Sequence, residues 1–201
     1  MTDRVHKDMG ALAATLDYDA ELMIRVKEGD GVSFGVLLEK HRASVIHFLY
    51  RMVQDQAVAE ELAQEVFLRV YRSRETYEPT AKFTTWLFRI ATHLALNSLR
   101  DGKNRRNEAR LDVETPEGPA REVSDWRPSV EQVMVRQARR EEVRQAVACL
   151  PEKQRAAVLM HKYQEMEYTQ IAKALNCSES AVKSLLFRAY ETLRARLAHM
   201  A

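Results

Sequence analysis

Apolar residues recur at intervals of three and four along the first half of the chain, which is the spacing of one face of an α-helix. This spacing predicts four helices, over about 20–28, 32–53, 57–72 and 84–100. Asp19 is the expected N-cap of the first helix, and the "DGKN" that follows Arg100 is expected to close the fourth. The polar stretch Ser73–Lys82, which contains Pro79, predicts a loop.

A shift in composition then divides the chain. Leu111–Val130 holds three of the five prolines, five acidic residues and two arginines, so its local charge is −3, which is typical of a flexible acidic linker. Helices are predicted again from about Glu131 to Cys149 and from Pro151, which suits the first turn of a helix. Strand signals are nearly absent. We therefore expect an all-α chain of two small helical domains, residues 1–107 and 131–201, with the linker at 108–130.

The stretch Tyr168–Leu197 contains two helical patterns with only about three residues between them, as in a helix-turn-helix. Asn176 lies at the turn, where a left-handed backbone is expected and asparagine is tolerated better than most residues. Ser178 is the expected N-cap of the second helix. The predicted apolar wedge between the two helices is Ile171, Leu175, Val182, Leu185 and Leu186.

The second of these helices is predicted to turn a polar and basic face outward, formed by Ser178, Glu179, Ser180, Lys183, Ser184, Phe187 and Arg188. Lysine and arginine donate to guanine edges or phosphates, and serine adapts to either. Residues 131–201 carry 12 Lys and Arg against 8 Asp and Glu, a net charge of +4 that suits phosphate attraction. The alternative is an ordinary helical hairpin with a solvated basic face, in which Phe187 belongs to the core.

Two stretches of the first half carry opposite charge. No basic residue lies between Gln54 and Leu68, where carboxylates predict either a docking face for a basic partner or a merely solvated helix face. Lys82–Arg110 carries a net charge of +5, and aromatic residues precede or interleave the charges. Basic residues with stacking rings suit single-stranded nucleic acid, at roughly 1–3 kcal/mol for each stacked base. Whether Phe83 and Trp86 contact DNA or belong to the core stays open at this point.

No feature of the sequence predicts an enzyme or a cofactor site. Cys149 and Cys177 lack a CxxC spacing, the histidines lack the spacing of paired metal ligands, and no phosphate-binding glycine loop is present. The chain also lacks a secretory signal and any run of the roughly 18 apolar residues that a membrane span needs. A cytoplasmic protein without membrane contact of its own is expected, and its net charge of +2 says little about partners.

Four stretches in this order make the chain, from about Asp19 to Leu197, resemble an extracytoplasmic function (ECF) sigma factor, group 4 of the sigma-70 family of bacterial RNA polymerase. Three resemble sigma domain 2: "DAELMIRVKEGDGVSFGVLLEKHRASVIHFLYRMVQD", the polymerase-docking helix "AEELAQEVFLRVYRS" and the promoter-melting helix "FTTWLFRIATHLALNSLR". The fourth, "LPEKQRAAVLMHKYQEMEYTQIAKALNCSESAVKSLLFRAYETLRARL", resembles sigma domain 4. The variable first 18 residues match no part of the family pattern.

The resemblance implies three binding sites. Contacts with core RNA polymerase, through its β′ clamp helices, are expected from Asp55, Glu61, Leu62, Gln64, Glu65 and Phe67. Contacts with the −10 element are expected from Tyr77, Lys82, Phe83, Trp86, Arg89, His93, Asn97, Arg100, Arg105 and Arg106. Contacts with the −35 element are expected from Ser178, Glu179, Ser180, Lys183, Ser184, Phe187 and Arg188.

The resemblance also implies partners and a setting. An unpaired −10 base would flip into a pocket formed by the Ser73–Lys82 loop and the start of the next helix, which repays the cost of unstacking. The polymerase β flap and an anti-sigma factor are further expected partners, in a stress or envelope response. A stand-alone helix-turn-helix regulator is the alternative, and a helical protein-binding adaptor is a third possibility. A stand-alone regulator needs neither the acidic helix nor the aromatic–basic helix, and an adaptor would not need Lys183 and Arg188 at their spacing.

Overall fold

A computed structural model of the protein describes residues 17–108 and 130–200, and the side chains of residues 17–102 and 137–200. The predicted linker, apart from its end residues Glu108 and Val130, and most of the variable N-terminus lie outside these residues. The described parts form eight α-helices and contain no β-strand, which agrees with the all-α prediction. We number the helices α1 (Tyr18–Lys27), α2 (Gly31–Val53), α3 (Gln56–Arg72), α4 (Phe83–Glu108), α5 (Val130–Ala148), α6 (Glu152–Tyr163), α7 (Tyr168–Leu175) and α8 (Glu179–Arg196).

Three aspartates begin the first three helices. Asp17, Asp30 and Asp55 each accept a hydrogen bond from a backbone N–H of the first turn, and this satisfies a donor that has no partner within the helix. The predicted cap at Asp19 is therefore wrong by two residues. Asp19 is buried inside α1, where its carboxylate binds Lys40 at 2.6 Å and His41 at 2.9 Å.

The predicted end of the fourth helix is also wrong. α4 continues past Arg100, through Asp101 and Gly102, to Glu108. A single glycine in a helix costs only about 1 kcal/mol relative to alanine, and no proline follows to stop the helix. Pro151 was predicted to lie in the first turn of a helix, but it is the N-cap of α6, one position before that turn. Within the predicted loop, Arg74–Thr76 forms a short 3₁₀ turn.

Helices α1–α4 form the N-terminal unit, in which α2 packs against α1, α3 and α4. Its centre contains the rings of Phe48 and Phe88, 5.2 Å apart and edge to face, among fully buried Leu37, Leu49 and Leu87. Helices α5–α8 form the C-terminal unit, where α6, α7 and α8 pack on one another. The two units also touch, chiefly through α4 and α7, so their buried residues form one contiguous core.

Candidate functional site: three exposed helix faces

The helix-turn-helix is formed by α7 and α8. Asn176 ends α7 in the left-handed conformation, with φ 51° and ψ 56°, as predicted. The hydroxyl oxygen of Ser178 accepts a hydrogen bond from Ala181 N–H at 3.2 Å and so caps α8. Ile171 and Val182 are fully buried between the helices, as the predicted apolar wedge requires. The short turn therefore holds α8 firmly against its neighbours and leaves its other side in solvent.

Every residue predicted for the −35 contact is exposed on the first three turns of α8 or at its cap. The side chain of Phe187 is 68% exposed, which decides against a place in the core. Positions 180, 183, 184, 187 and 188 follow the three- and four-residue spacing of one helix face. This face offers serine hydroxyls, two cations and an aromatic ring, a combination that suits base edges, phosphates and thymine methyl groups in a major groove.

The helix α3 carries the residues predicted to bind polymerase, but it does not expose all of them. Glu61 and Gln64 are exposed and Leu62 is half-buried. Glu65 forms an ion pair with Arg69, with Nε and Oε1 2.7 Å apart, and is therefore partly neutralised. Asp55 caps the helix through Val58 N–H. Phe67 is only 6% exposed, so its ring supports the surface from inside and does not form it.

Two apolar residues on the same face of α3 were missed by the sequence analysis. Leu68 is 48% exposed and Tyr71 is 43% exposed, and both lie one or two turns beyond Glu61 and Gln64. The Tyr71 ring lies 5.0 Å from the ring of Phe34. Their signal in the sequence is that they continue, at spacings of four and three residues, the face that carries Glu61 and Gln64. The face of α3 is thus mixed acidic and apolar, which is typical of a protein-binding surface.

The helix α4 brings five of the ten residues predicted for the −10 contact onto one face. Trp86, Arg89, His93, Asn97 and Arg100 recur at three- and four-residue spacing. Arg89, His93 and Arg100 are exposed, whereas Trp86 and Asn97 are half-buried. Lys82, just before the helix, is exposed as well. The side chains of Arg105 and Arg106 lie outside the described residues.

Tyr77 and Phe83 lie in the core behind this face. Tyr77 is 4% exposed and Phe83 is fully buried, and Trp86 packs on both, with ring centroids 4.9 Å and 5.9 Å away. Burial, together with the charges of Asp17 and Asp19, raises the pKa of Tyr77 to about 12, so its hydroxyl stays neutral. The two buried rings therefore support Trp86, which is the aromatic residue of this cluster that reaches the surface.

A network that the sequence analysis did not foresee holds the loop before α4. Lys27 Nζ donates to the carbonyl oxygen of Tyr77 at 3.2 Å. The ring of His41, which is bound to the buried Asp19, packs 5.5 Å from the ring of Phe83. Among the described residues, the Tyr77 hydroxyl has no hydrogen-bond partner. These contacts fix the loop against α1 and α2, and they join residues too distant in the chain for a local pattern to reveal.

The described residues contain no group of three or more His, Cys, Asp or Glu side chains that could hold a metal ion. In the same part of the chain, Cys149 and Cys177 are free thiols. No helix there is long and apolar enough to cross a membrane.

Comparison with known proteins identifies the family of the chain that carries these three faces. Residues 37–106 match Sigma-70 region 2 and residues 140–193 match Sigma-70, region 4. The RNA polymerase sigma-H factor of Pseudomonas aeruginosa is 31% identical over 182 residues, which is 89% of this chain and 93% of that protein. The chain belongs to the sigma-70 family of RNA polymerase sigma factors, in its ECF group.

Other relatives of this sigma factor agree. The ECF RNA polymerase sigma factor SigW of Bacillus subtilis is 29% identical over 88% of this chain and 98% of its own. The ECF RNA polymerase sigma-E factor of Escherichia coli K12 is 29% identical over 87% of this chain and 92% of its own. The region 2 match includes α3 and most of α4, and the region 4 match includes the helix-turn-helix.

Two solved structures share the fold of this sigma factor, each with 18% identity. One is CnrH in complex with the cytosolic domain of CnrY, with a TM-score of 0.66 over 92% of this chain and 100% of that one. The other is the sigma factor RpoE in complex with the anti-sigma factor NepR from Bartonella quintana, with a TM-score of 0.65 over 82% of this chain and 96% of that one.

Proposed function

We propose that this ECF sigma factor directs core RNA polymerase to particular promoters and helps to open them. The observation that carries the proposal is that one chain presents two separate basic helix faces, on α4 and on α8, together with the acidic–apolar face of α3. A stand-alone helix-turn-helix regulator needs only the face of α8. The chain has no enzyme activity of its own in this account and works in the cytoplasm, beside polymerase.

The face of α8 binds the −35 element in the major groove. Ser178, Glu179 and Ser180 lie near the groove entrance, and Lys183, Ser184, Phe187 and Arg188 reach further along it. Arg188 donates to base edges, since an arginine pairs well with guanine O6 and N7. Lys183 contacts bases or phosphates, and Phe187 contacts apolar groups such as thymine methyls.

The face of α4 binds the −10 element as it opens. Trp86 offers a surface on which an unpaired base stacks, and Arg89 and Arg100 track the phosphates. Tyr77 and Phe83 contribute from the core by holding Trp86 in place. The loop at residues 73–82 and the start of α4 form the pocket for the flipped base. Contacts inside this pocket offset the free-energy cost of unstacking the base.

The face of α3 binds the β′ clamp helices of polymerase through Glu61, Leu62, Gln64 and Glu65, with Phe67 beneath them. Exposed Leu68 and Tyr71 extend this face. The C-terminal domain contacts the β flap. The two domains comprise residues 1–107 and 131–201. The acidic linker between them, residues 108–130, lies in the RNA exit path of polymerase.

An anti-sigma factor is a further proposed partner, in a stress or envelope response. The support is that two solved structures of this fold are complexes with a second protein. In the complex from Bartonella quintana, that second protein is named as an anti-sigma factor.

Transcription from genomic promoter fragments by core polymerase, with and without the purified chain, tests the function. Mapping of RNA 5′ ends should reveal start sites that depend on the chain. Start sites that are the same without it would contradict the proposal, and DNA binding without polymerase would favour a stand-alone regulator.

A further inference from the structure

Helix α1 carries none of the residues predicted to bind DNA or polymerase, and it ends at Lys27, before the match to Sigma-70 region 2 begins at residue 37. Its apolar residues Leu22, Met23 and Val26 are buried in the core of the N-terminal unit. Two polar side chains of α1, Asp19 and Lys27, have a different place, because their contacts lead to the loop before α4 and to the start of α4. They lie two turns apart, about 12 Å along the helix axis.

Lys27 acts on the backbone of that loop. Its Nζ donates to the carbonyl oxygen of Tyr77 at 3.2 Å, and the centre of the Tyr77 ring lies 4.9 Å from that of Trp86. Among the described residues the Tyr77 hydroxyl has no hydrogen-bond partner. Tyr77 is therefore oriented through its backbone, by Lys27 and by the bond from its own N–H to the Arg74 carbonyl oxygen. Loss of the Lys27 bond should loosen the ring on which Trp86 packs.

Asp19 acts through His41, on α2. The buried Asp19 carboxylate lies 2.9 Å from His41 Nε2 and is also bound by Lys40. The ring of His41 lies 5.5 Å from that of Phe83, which in turn lies 5.9 Å from that of Trp86. Desolvation of a buried carboxylate offsets most of what its partners contribute. The pair therefore adds little net stability, and its contribution is the fixed orientation of the His41 ring.

Both paths of contacts end at Trp86, the ring on which an unpaired −10 base is proposed to stack. Flipping a base out of the duplex costs free energy that the new contacts must offset. A ring that is in place before the base arrives loses little entropy on contact, whereas a loose ring has to be ordered by the base itself. A helix outside the DNA-binding faces thus holds Trp86 ready for the base.

We propose that α1 positions the −10 base pocket: Asp19 and Lys27 are positioning residues for capture of the unpaired base and do not touch DNA themselves. They act on Trp86, through His41 and Tyr77 respectively. This inference rests on the proposed function, since it is promoter opening that requires a stacked base. Loss of either path should weaken binding of the single-stranded −10 element about tenfold, or 1.4 kcal/mol, which is near the lower end of the range for one stacked base.

The test uses holoenzyme reconstituted from the full chain and core polymerase. Lys27→Met removes the donor and keeps the apolar stem. His41→Gln keeps a donor for Asp19 but removes the ring that packs on Phe83. Arg25→Met is the matched control, because Arg25 is another exposed cation of α1. Lys27→Arg keeps a donor at the same place and should restore the behaviour of the wild type.

Two readouts follow the path to Trp86. A single-stranded −10 oligonucleotide should bind about tenfold more weakly to Lys27→Met and His41→Gln, while a duplex with only the −35 element should bind as it does to wild type. The free chain gives the second readout, because the other of its two tryptophans, Trp126, lies in the predicted linker. In a Trp126→Phe background, acrylamide should quench Trp86 fluorescence more strongly in both variants and no more strongly in Arg25→Met.

Salt dependence separates a positioning residue from one that binds phosphate. A lost phosphate contact would lower the slope of log K against log salt concentration by about 0.7 for a single strand. We expect Lys27→Met to keep the wild-type slope and to lower the affinity at every salt concentration. A lower slope would assign Lys27 to a phosphate and overturn its positioning role.

Urea unfolding establishes that the variants are folded; Lys27→Gln and His41→Asn replace any that are not. Unchanged affinity for the −10 strand would overturn the proposal, and so would equal losses on the −10 strand and the −35 duplex, since a general defect would explain both. Weaker binding with unchanged quenching would overturn the path through Trp86. If wild-type holoenzyme does not bind the −10 strand, the proposed function fails and base capture with it, while quenching still decides whether α1 holds Trp86.

Discussion

The backbone N–H of Cys177 donates to the carbonyl oxygen of Ala172 over 3.0 Å, and this bond closes α7 around Asn176. Asn176 lies in the chain between Ala172 and Cys177 and adopts the left-handed conformation, which strains any residue that has a Cβ atom. The same turn sets the angle at which α8 leaves α7. The geometry of this one turn therefore positions the face proposed to bind the −35 element.

We expect Asn176→Gly to raise the free energy of unfolding by about 0.5–1 kcal/mol, because glycine adopts the left-handed conformation without strain. Asn176→Ala should lower it by about 1 kcal/mol. Urea unfolding of the full chain measures both. Lys173→Gly, inside α7, is the control and should lower stability by about 1 kcal/mol. A destabilised Asn176→Gly variant would contradict this account of the turn.

Stability should depend on pH through Asp30, the N-cap of α2. Its carboxylate accepts hydrogen bonds from the Ser33 hydroxyl at 2.6 Å and from the Ser33 and Val32 N–H groups, and these bonds lower its pKa below the ordinary 3.8. Because the folded pKa is the lower one, the ionised carboxylate stabilises the fold at pH above 3.8, and this contribution is lost as pH falls through the folded pKa.

The variant Asp30→Asn keeps a capping side chain but does not titrate there. We expect the stability difference between wild type and this variant to be constant from neutral pH down to about pH 5 and to shift against the wild type in stronger acid. Urea midpoints at several pH values between 7 and 3 measure it. A difference that does not change with pH would show that ionised Asp30 has no special role.

Replacement of Arg188 by alanine should weaken recognition of particular −35 base pairs by about 1–3 kcal/mol. Binding of the reconstituted holoenzyme to a promoter and its single-base variants measures the loss at each position. Arg194→Ala is the matched control, since Arg194 lies on the same helix but forms an ion pair with Glu191. Equal losses for Arg188→Ala on every sequence would assign Arg188 to a phosphate and contradict its proposed role.

Charge reversal on α3 should weaken the binding of core polymerase. Glu61 is the better single target, because Glu65 is already paired with Arg69. We expect Glu61→Lys to raise the Kd by about tenfold, or 1.4 kcal/mol, and Glu61→Lys with Glu65→Lys to raise it further. The same charge change at exposed Glu39, on α2, is the control. Equal affinities in a titration would mean that the acidic face is only solvated.

The outward face of α8 could be predicted from the sequence because every signal for it is local. The period of the buried residues, the capping Ser178 and the left-handed Asn176 together fix which side of the helix faces solvent. Only the place of Phe187 needed the structure, since an aromatic residue next to an apolar stripe belongs equally well to either side.

Features that depend on distant parts of the chain could not be predicted. Tyr77 is held by Lys27 from 50 residues away, and Arg155 reaches Met52 across 103 residues. The burial of Tyr77 and Phe83 follows from the way α1 and α2 cover the loop before α4, which no local period encodes. The end of α4 was misjudged for another reason: "DGKN" has the residues of a helix stop, yet the helix continues through it to Glu108.

The most direct test of this account is a footprint of the reconstituted holoenzyme on a promoter that it transcribes. We expect two protected segments, at the −35 and −10 elements, with unpaired thymines reactive to permanganate near the second. Loss of Arg188 should abolish protection at the upstream segment first. A single protected segment, or an identical footprint from the chain without polymerase, would contradict the claim that one sigma factor holds both elements while bound to the enzyme.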